Sequence, residues 1–183
     1  SFALYGFPES HAASFALTGY RTGYLSVHHT APYFAGMMNH QPMGYYTTNT
    51  LAGEARRRGV RILPVDINSS QDKSFAPDSA SIRLGLRIVA ELREEDIAAI
   101  LQARAAEPFT SLLDFCARVP LHRNCLENLL LCGAFDLLHE HRRGALWKLD
   151  ETIAMALAAR AAQTAGRLDL GGVRAEADAY ADE

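Results

Sequence analysis

No stretch of about 18 consecutive apolar residues occurs in the chain, so no segment is expected to cross a bilayer as a helix. No charged n-region, apolar h-region and cleavage site open it, which argues against a secretory signal and for the cytoplasm. Neither does a methionine. Ser1-Phe2-Ala3-Leu4-Tyr5 enters an apolar stretch directly, as a cut within a longer protein would. Cysteine is scarce: Cys116, Cys125 and Cys132 form no C-x-x-C pair, which argues against zinc. Cys125 and Cys132 lie seven apart in an apolar helical pattern, so core packing is expected. His139-x-His141, between two helices, reads as a solvated turn, and no metal site is expected.

Excess positive charge is also lacking. A net charge of −3 is unlike a protein whose whole surface grips nucleic acid. The distribution is uneven, however. Arg56-Arg57-Arg58 with Arg61 forms one basic cluster, and Arg118, Arg123, Arg142 and Arg143 a looser second. Taken alone, the Arg56 cluster reads as a solvated helix face. Residues 174–183 hold four carboxylates against one arginine.

Nearly half of the chain is apolar, enough for a core. A long helix is expected over Ser10 to His28, a second around Pro32 to Met38, and a third from Thr48 to Arg58, where Gly59 suits a left-handed cap. Val60 to Ile67 alternates as a short extended stretch, and Pro64 demotes it to an edge. Ser74-Phe75 and Ile82-Leu84-Leu86 flank Pro77-Asp78-Ser79 as a small β-hairpin. Beyond it come short helices. One spans Glu94 to Ala105, with Ile97, Ile100 and Leu101 on one stripe. Ser111-Leu112-Leu113-Asp114 resembles a capping box, and Asn124-Cys125-Leu126-Glu127 matches that logic more closely. The helix after Asn124 should stop at Gly133. A last helix, about Arg142 to Ala162, would set Leu146, Leu149, Ile153 and Leu157 on one face. The expected organisation is 1–70, a hairpin at 71–86, a helical module at 87–162 and a flexible acidic tail at 163–183.

Two features go beyond a helical protein: the segment that begins at Tyr5, and the succession of short helices joined by tight turns with Gly133-Ala134-Phe135-Asp136. Tyr5-Gly6-Phe7-Pro8-Glu9-Ser10-His11-Ala12-Ala13-Ser14-Phe15-Ala16-Leu17 resembles the fingers of the bacterial replicative polymerase alpha subunits, the C-family DNA polymerases. Arg56 to Asn68, Ile82 to Arg104, Ser111 to Phe115 and Leu126 to Asp136 are similar to later parts of the same family, in the same order. Gln41-Pro42-Met43-Gly44-Tyr45-Tyr46 resembles the error-prone alpha-subunit branch. The fold implied is mainly α: the helical end of polymerase fingers with a small β-hairpin, then a tandem helix-hairpin-helix module.

The resemblance implies that the parent is a DNA-directed DNA polymerase using Mg²⁺ held by palm aspartates upstream of this segment. The chain alone is expected to hold no cofactor, no catalytic residue and no metal ligand, and to be inactive. Ser10 and His11 match the family's Ser-His pair, so both are nucleotide-binding candidates beside a helix N-terminus, where anions are favoured. His11 either donates to a phosphate or serves as a cap residue that orders the fingers. The helix-hairpin-helix region implies sequence-independent duplex binding, with Arg93, Arg123 and Asn124 as candidates. Glu91-Leu92-Arg93 departs from the family's Gly-hydrophobic-Gly. Glu91 would repel a phosphate, and restoring both glycines should lower stability slightly through unfolded-state entropy. The expected partners are primer-template duplex DNA, the incoming dNTP and other polymerase domains, with the sliding clamp reached through regions outside this segment. The alternative is a scaffold whose hairpins brace neighbouring domains with little DNA binding.

Overall fold

A computed structural model describes residues 8–138, 141–162 and 164. Tyr5 to Phe7, His139 and the expected tail at 163–183, apart from residue 164, lie outside them. The described chain forms two compact units. One runs to Leu63 and includes Lys73–Gly85; the other takes Pro64–Asp72 and continues from Leu86.

The first unit contains α1 (Glu9–His28), α2 (Thr30–Asn39), α3 (Thr48–Arg57), β1 (Arg61–Leu63), β2 (Phe75–Asp78) and β3 (Ser81–Arg83). α2 buries Ala31, Phe34, Ala35 and Met38, the i, i+3, i+4, i+7 face of a helix. α3 sets Leu51, Ala52 and Ala55 against it, and Val60 and Ile82 complete the core. Truncating Phe34 to Ala would cost about 3–5 kcal/mol. The third helix starts where Thr47 caps, its hydroxyl accepting from the Thr50 N–H at 3.3 Å. It stops at Gly59, whose φ of +83° carries the left-handed turn.

The expected hairpin is present, β2 antiparallel to β3, but it has a third strand beside it. β1 runs parallel to β3 in the order β1-β3-β2, pairing Ile62 with Ile82. It ends at Leu63, immediately before the proline that cannot extend the ladder. The hairpin turn falls one step later than expected, at Ser79-Ala80, and Asp78 holds it by accepting from the Ala80 N–H and the Ser81 hydroxyl. The Asn39 side chain clamps the far end: its Nδ2 donates to the Ser74 C=O at 2.7 Å and its Oδ1 accepts from the Ser74 N–H at 2.8 Å.

α1 differs from the other helices of the unit in burying nothing, and Phe15, Tyr20 and Val27 stand more than 60% exposed. Its sequence has the right period for a buried face, but no such face is covered within the described residues.

The second unit contains α4 (Glu94–Ala106), α5 (Leu112–Arg118), α6 (Arg123–Leu131), α7 (Arg142–Trp147) and helical residues 149–162. Phe115 is its centre, edge-on to Phe109 at 4.9 Å and to Phe135 at 5.2 Å. Ile97, Ile100, Leu126, Leu129 and Leu130 are buried around these rings. Pro64–Asp72 is tied in by polar clamps. The Asn68 amide spans the Phe109 N–H and C=O, both at 2.8 Å, and Arg104 donates to the Ile67 and Ser70 carbonyls. α6 ends as expected, with Gly133 at φ +83°.

Three local readings need correction. The last helix is broken at Lys148, and it buries Ala145, Leu149 and Ala156, whereas Leu157 is 55% exposed. Of the expected stripe, Leu149 is buried, Leu146 and Ile153 are half-buried and only Leu157 faces out, while Ala145 and Ala156 join the inward face. Asn124 does not cap α6: the helix begins one residue earlier, at Arg123, with His122 preceding it and no side-chain cap, and Glu127 pairs with Arg123. Ser111 does cap α5, accepting from the Asp114 N–H at 3.1 Å, while the Asp114 carboxylate reaches the Thr110 N–H instead of that of Ser111.

Candidate nucleic-acid interface

Two turns of the second unit meet in one place. The first follows a 3-10 turn at Leu86–Ile88 and leads through Glu91 into α4, whose N-cap is Arg93. The second leads from α5 through His122 into α6. Glu91, Arg93, His122, Arg123, Asn124 and Cys125 line a single open cleft of about 460 Å³. The structure thus brings together Arg93, Arg123 and Asn124. Ser10 and His11 belong to the other unit.

The first turn keeps a glycine-like backbone without the glycine. Glu91 has φ +64°, in the left-handed region. An L-residue pays roughly 1–2 kcal/mol for that conformation. Two side chains of α6 pin the turn there. The Cys125 thiol donates to the Glu91 C=O at 3.2 Å, and the Asn128 amide donates to the Ala90 C=O at 3.0 Å. The expected stability loss on restoring glycine therefore has the wrong sign at position 91, where glycine relieves strain. The family resemblance places Glu91 in the hairpin, but the backbone there is held by contacts 34 and 38 residues away.

The cations of the cleft are already engaged. Arg93 pairs with Asp96 at 3.1 Å and with Glu95 at 2.5 Å. Arg123 lies between Glu127 at 2.6 Å and Asp150 at 2.7 Å. Donating to Asp96 raises the Arg93 guanidinium pKa further, and donating to Asp150 and Glu127 raises that of Arg123. Asp96 is buried, which pushes its carboxyl upward, but the side chain and backbone N–H of Arg93 outweigh burial and hold it below the usual carboxylate range. A phosphate entering the cleft would compete with these carboxylates for both arginines. What remains for an anion without that exchange is the amino-terminal backbone of α4 and α6, the positive ends of two helix dipoles.

His122, Cys125 and Asn128 complete the cleft and its support, and none is a candidate on sequence grounds. The i+4 spacing of Arg123 and Glu127 was the only readable signal for the local pair. Asp150, 27 residues away, had none.

Ser10 and His11 occupy the first turn of α1 behind Pro8, which provides no side-chain cap. The His11 ring packs on Phe15, with ring centroids 4.5 Å apart. Cys116, Cys125 and Cys132 are buried or half-buried thiols, and burial pushes Cys116 up to about 11. Among the described residues, no group of three His, Cys, Asp or Glu side chains is placed to hold a metal ion. None of their helices is long and apolar enough to cross a membrane.

Comparison with known proteins agrees with this geometry. A family model for the helix-hairpin-helix motif matches residues 59–145, which include both turns of the cleft. The chain is 48% identical to an error-prone DNA polymerase of Symbiobacterium thermophilum, over 81% of the chain and 16% of that protein. It is 44% identical to one of Bordetella parapertussis, over 80% of the chain and 14% of the relative. For one of Burkholderia mallei the identity is 41%, over 86% and 16%. The chain thus spans about one sixth of the length of these relatives.

Proposed function

Because the chain belongs to the error-prone branch of the bacterial DNA polymerase alpha subunits, as a segment carrying their helix-hairpin-helix motif, we propose that its second unit holds duplex primer-template DNA during synthesis by the whole polymerase. The observation that supports this is the meeting of two hairpin turns at the amino-terminal ends of α4 and α6 in one cleft. Backbone N–H groups there suit phosphates of any sequence, and an arginine that trades carboxylate for phosphate adds salt-sensitive affinity. The first unit contributes the Ser10-His11 end of α1 to the triphosphate of the incoming dNTP. Polymerisation and its Mg²⁺ ions belong to parts of the protein outside this segment, as does the clamp contact. The setting is cytoplasmic DNA synthesis over damaged template.

One observation favours a second reading, in which the hairpins brace neighbouring polymerase domains. Arg93 and Arg123 are each held by two carboxylates, and the second unit carries eleven Lys and Arg against eighteen Asp and Glu.

Two variants separate the readings on a short blunt duplex, followed by fluorescence anisotropy across a salt series. If the cleft takes phosphate, Arg123→Ala weakens binding and flattens the salt slope by about one unit. Asp150→Asn, which frees Arg123, strengthens binding a few-fold. Arg143→Ala, an exposed cation outside the cleft, does little. Duplex affinity unmoved by the Arg123 and Asp150 variants rejects the phosphate reading and leaves the brace.

A further inference from the structure

The opposite charge balance holds in the first unit, which carries seven Lys and Arg against three Asp and Glu. Its Gln41–Tyr46 turn is firmly built. The Met43 N–H donates to Gln41 Oε1 at 3.2 Å, the Tyr46 N–H donates to the Met43 C=O at 3.2 Å, and Gly44 supplies φ +53°. Yet the turn presents two aromatic rings to water, Tyr45 fully and Tyr46 60% exposed. A rigid support for exposed tyrosines serves no packing need of the unit and suits rings that a ligand covers.

Tyr46 forms one edge of a groove of about 450 Å³, within the ~300–1,000 Å³ range of ligand clefts. Its other edges are Gly19 of α1, Tyr33 and Met37 of α2, and Arg57 and Arg58 of α3. Gly19 has nothing within 4 Å of the place a Cβ would take, so the α1 side of the groove is open. The rim charge does not cancel: among the described residues, Glu54 is the one carboxylate that pairs with Arg57, at 2.7 Å, and with Arg58, at 2.8 Å. Two guanidiniums therefore share one carboxylate beside two aromatic rings.

An aromatic face flanked by cations matches an unpaired nucleotide: the base stacks and the phosphates lie against the arginines. Duplex bases are already stacked and offer no free face, and an apolar peptide would gain nothing from the rim. We propose that this Tyr46–Arg57–Arg58 groove is a binding site for single-stranded DNA, distinct from the hairpin cleft. A bound phosphate takes the place of Glu54 at one guanidinium, so Glu54 sets the affinity from the opposite side.

The test uses the whole chain with fluorescein-labelled oligo(dT) of about 12 nucleotides, a length within single-strand site sizes. Tyr46→Ala weakens binding by about fivefold or more, the loss of one stacked base, and Tyr46→Phe retains it. Arg57→Ala with Arg58→Ala flattens the salt slope by about one unit. Glu54→Gln tightens binding a few-fold. Arg21→Ala, an exposed cation of α1 outside the groove, changes little. Blunt-duplex affinity is insensitive to Tyr46→Ala while responding to Arg123→Ala, so failure of this site and failure of the hairpin cleft read out separately. Wild-type oligo(dT) affinity in Tyr46→Ala, with unchanged circular dichroism, overturns the proposal. So does an Arg21→Ala loss equal to that of the double arginine variant, or duplex binding with the same Tyr46 dependence.

Discussion

Replacing Glu91 by glycine should stabilise the second unit, although it deletes a side chain and loosens the unfolded chain. Glu91 sits at φ +64°, and it cannot relax without breaking the Cys125 thiol contact to its own carbonyl and the Asn128 contact to that of Ala90. The left-handed conformation costs a non-glycine residue about 1–2 kcal/mol. Glycine removes that cost and adds roughly 0.5–1 kcal/mol of unfolded-state entropy. The net is a gain of about 0.5–1 kcal/mol, or about 1–4 °C in Tm for a chain of this length. The Glu91 side chain is exposed and makes no ion pair among the described residues, so little else is lost. Glu91→Ala isolates the backbone effect, because it removes the same carboxylate and keeps the strain. Glu91→Asn should fall between the two, since Asn tolerates the left-handed region better than most residues. Thermal melts followed by circular dichroism, with urea midpoints at constant m, give the order Gly, Asn, then Ala. A glycine variant no more stable than the alanine variant would refute the strain argument.

Asn68→Ala removes both bonds to the Phe109 backbone and should cost about 1–3 kcal/mol, measured by urea denaturation. Asp96 has its pKa lowered in the fold, so its stabilisation is complete above the ordinary carboxylate value and disappears as pH falls through its lower folded value. Asp96→Asn should accordingly destabilise the unit near neutrality and flatten its acid limb below the ordinary carboxylate value. Cys116, with its thiol pushed up to about 11, should react with a thiol reagent at pH 8 only after unfolding; rapid labelling of the native chain would contradict its burial.

Much of the helical framework was legible because it is local. Gly59 and Gly133 announce left-handed helix ends, and both have φ +83°. The β2–β3 hairpin is close in sequence and its alternation is visible. β1 was readable as extended but not as the partner of β3, because parallel pairing with Ile82 joins residues twenty apart. Asn124 failed as a cap because α6 begins one residue earlier, at Arg123, which leaves Asn124 inside the first turn with helical backbone. At the candidate site, Arg93, Arg123 and Asn124 could be placed on two hairpins through the family resemblance. Their ion pairs could be read only in part, since Asp96 and Glu127 are local while Asp150 comes from another helix. α1 shows the converse limit, an apolar helix whose period reveals a face but not what covers it.

As proposed above, this segment holds primer-template DNA and takes no part in the chemistry. The most direct test is to mix the purified chain with labelled primer-template, dNTPs and Mg²⁺, and to follow anisotropy and primer length together across a salt series. The expected result is binding whose log affinity falls linearly with log salt, with a slope that counts the phosphates contacted, and no primer extended. Primer extension above a heat-killed control, or no binding even at low salt, would contradict it.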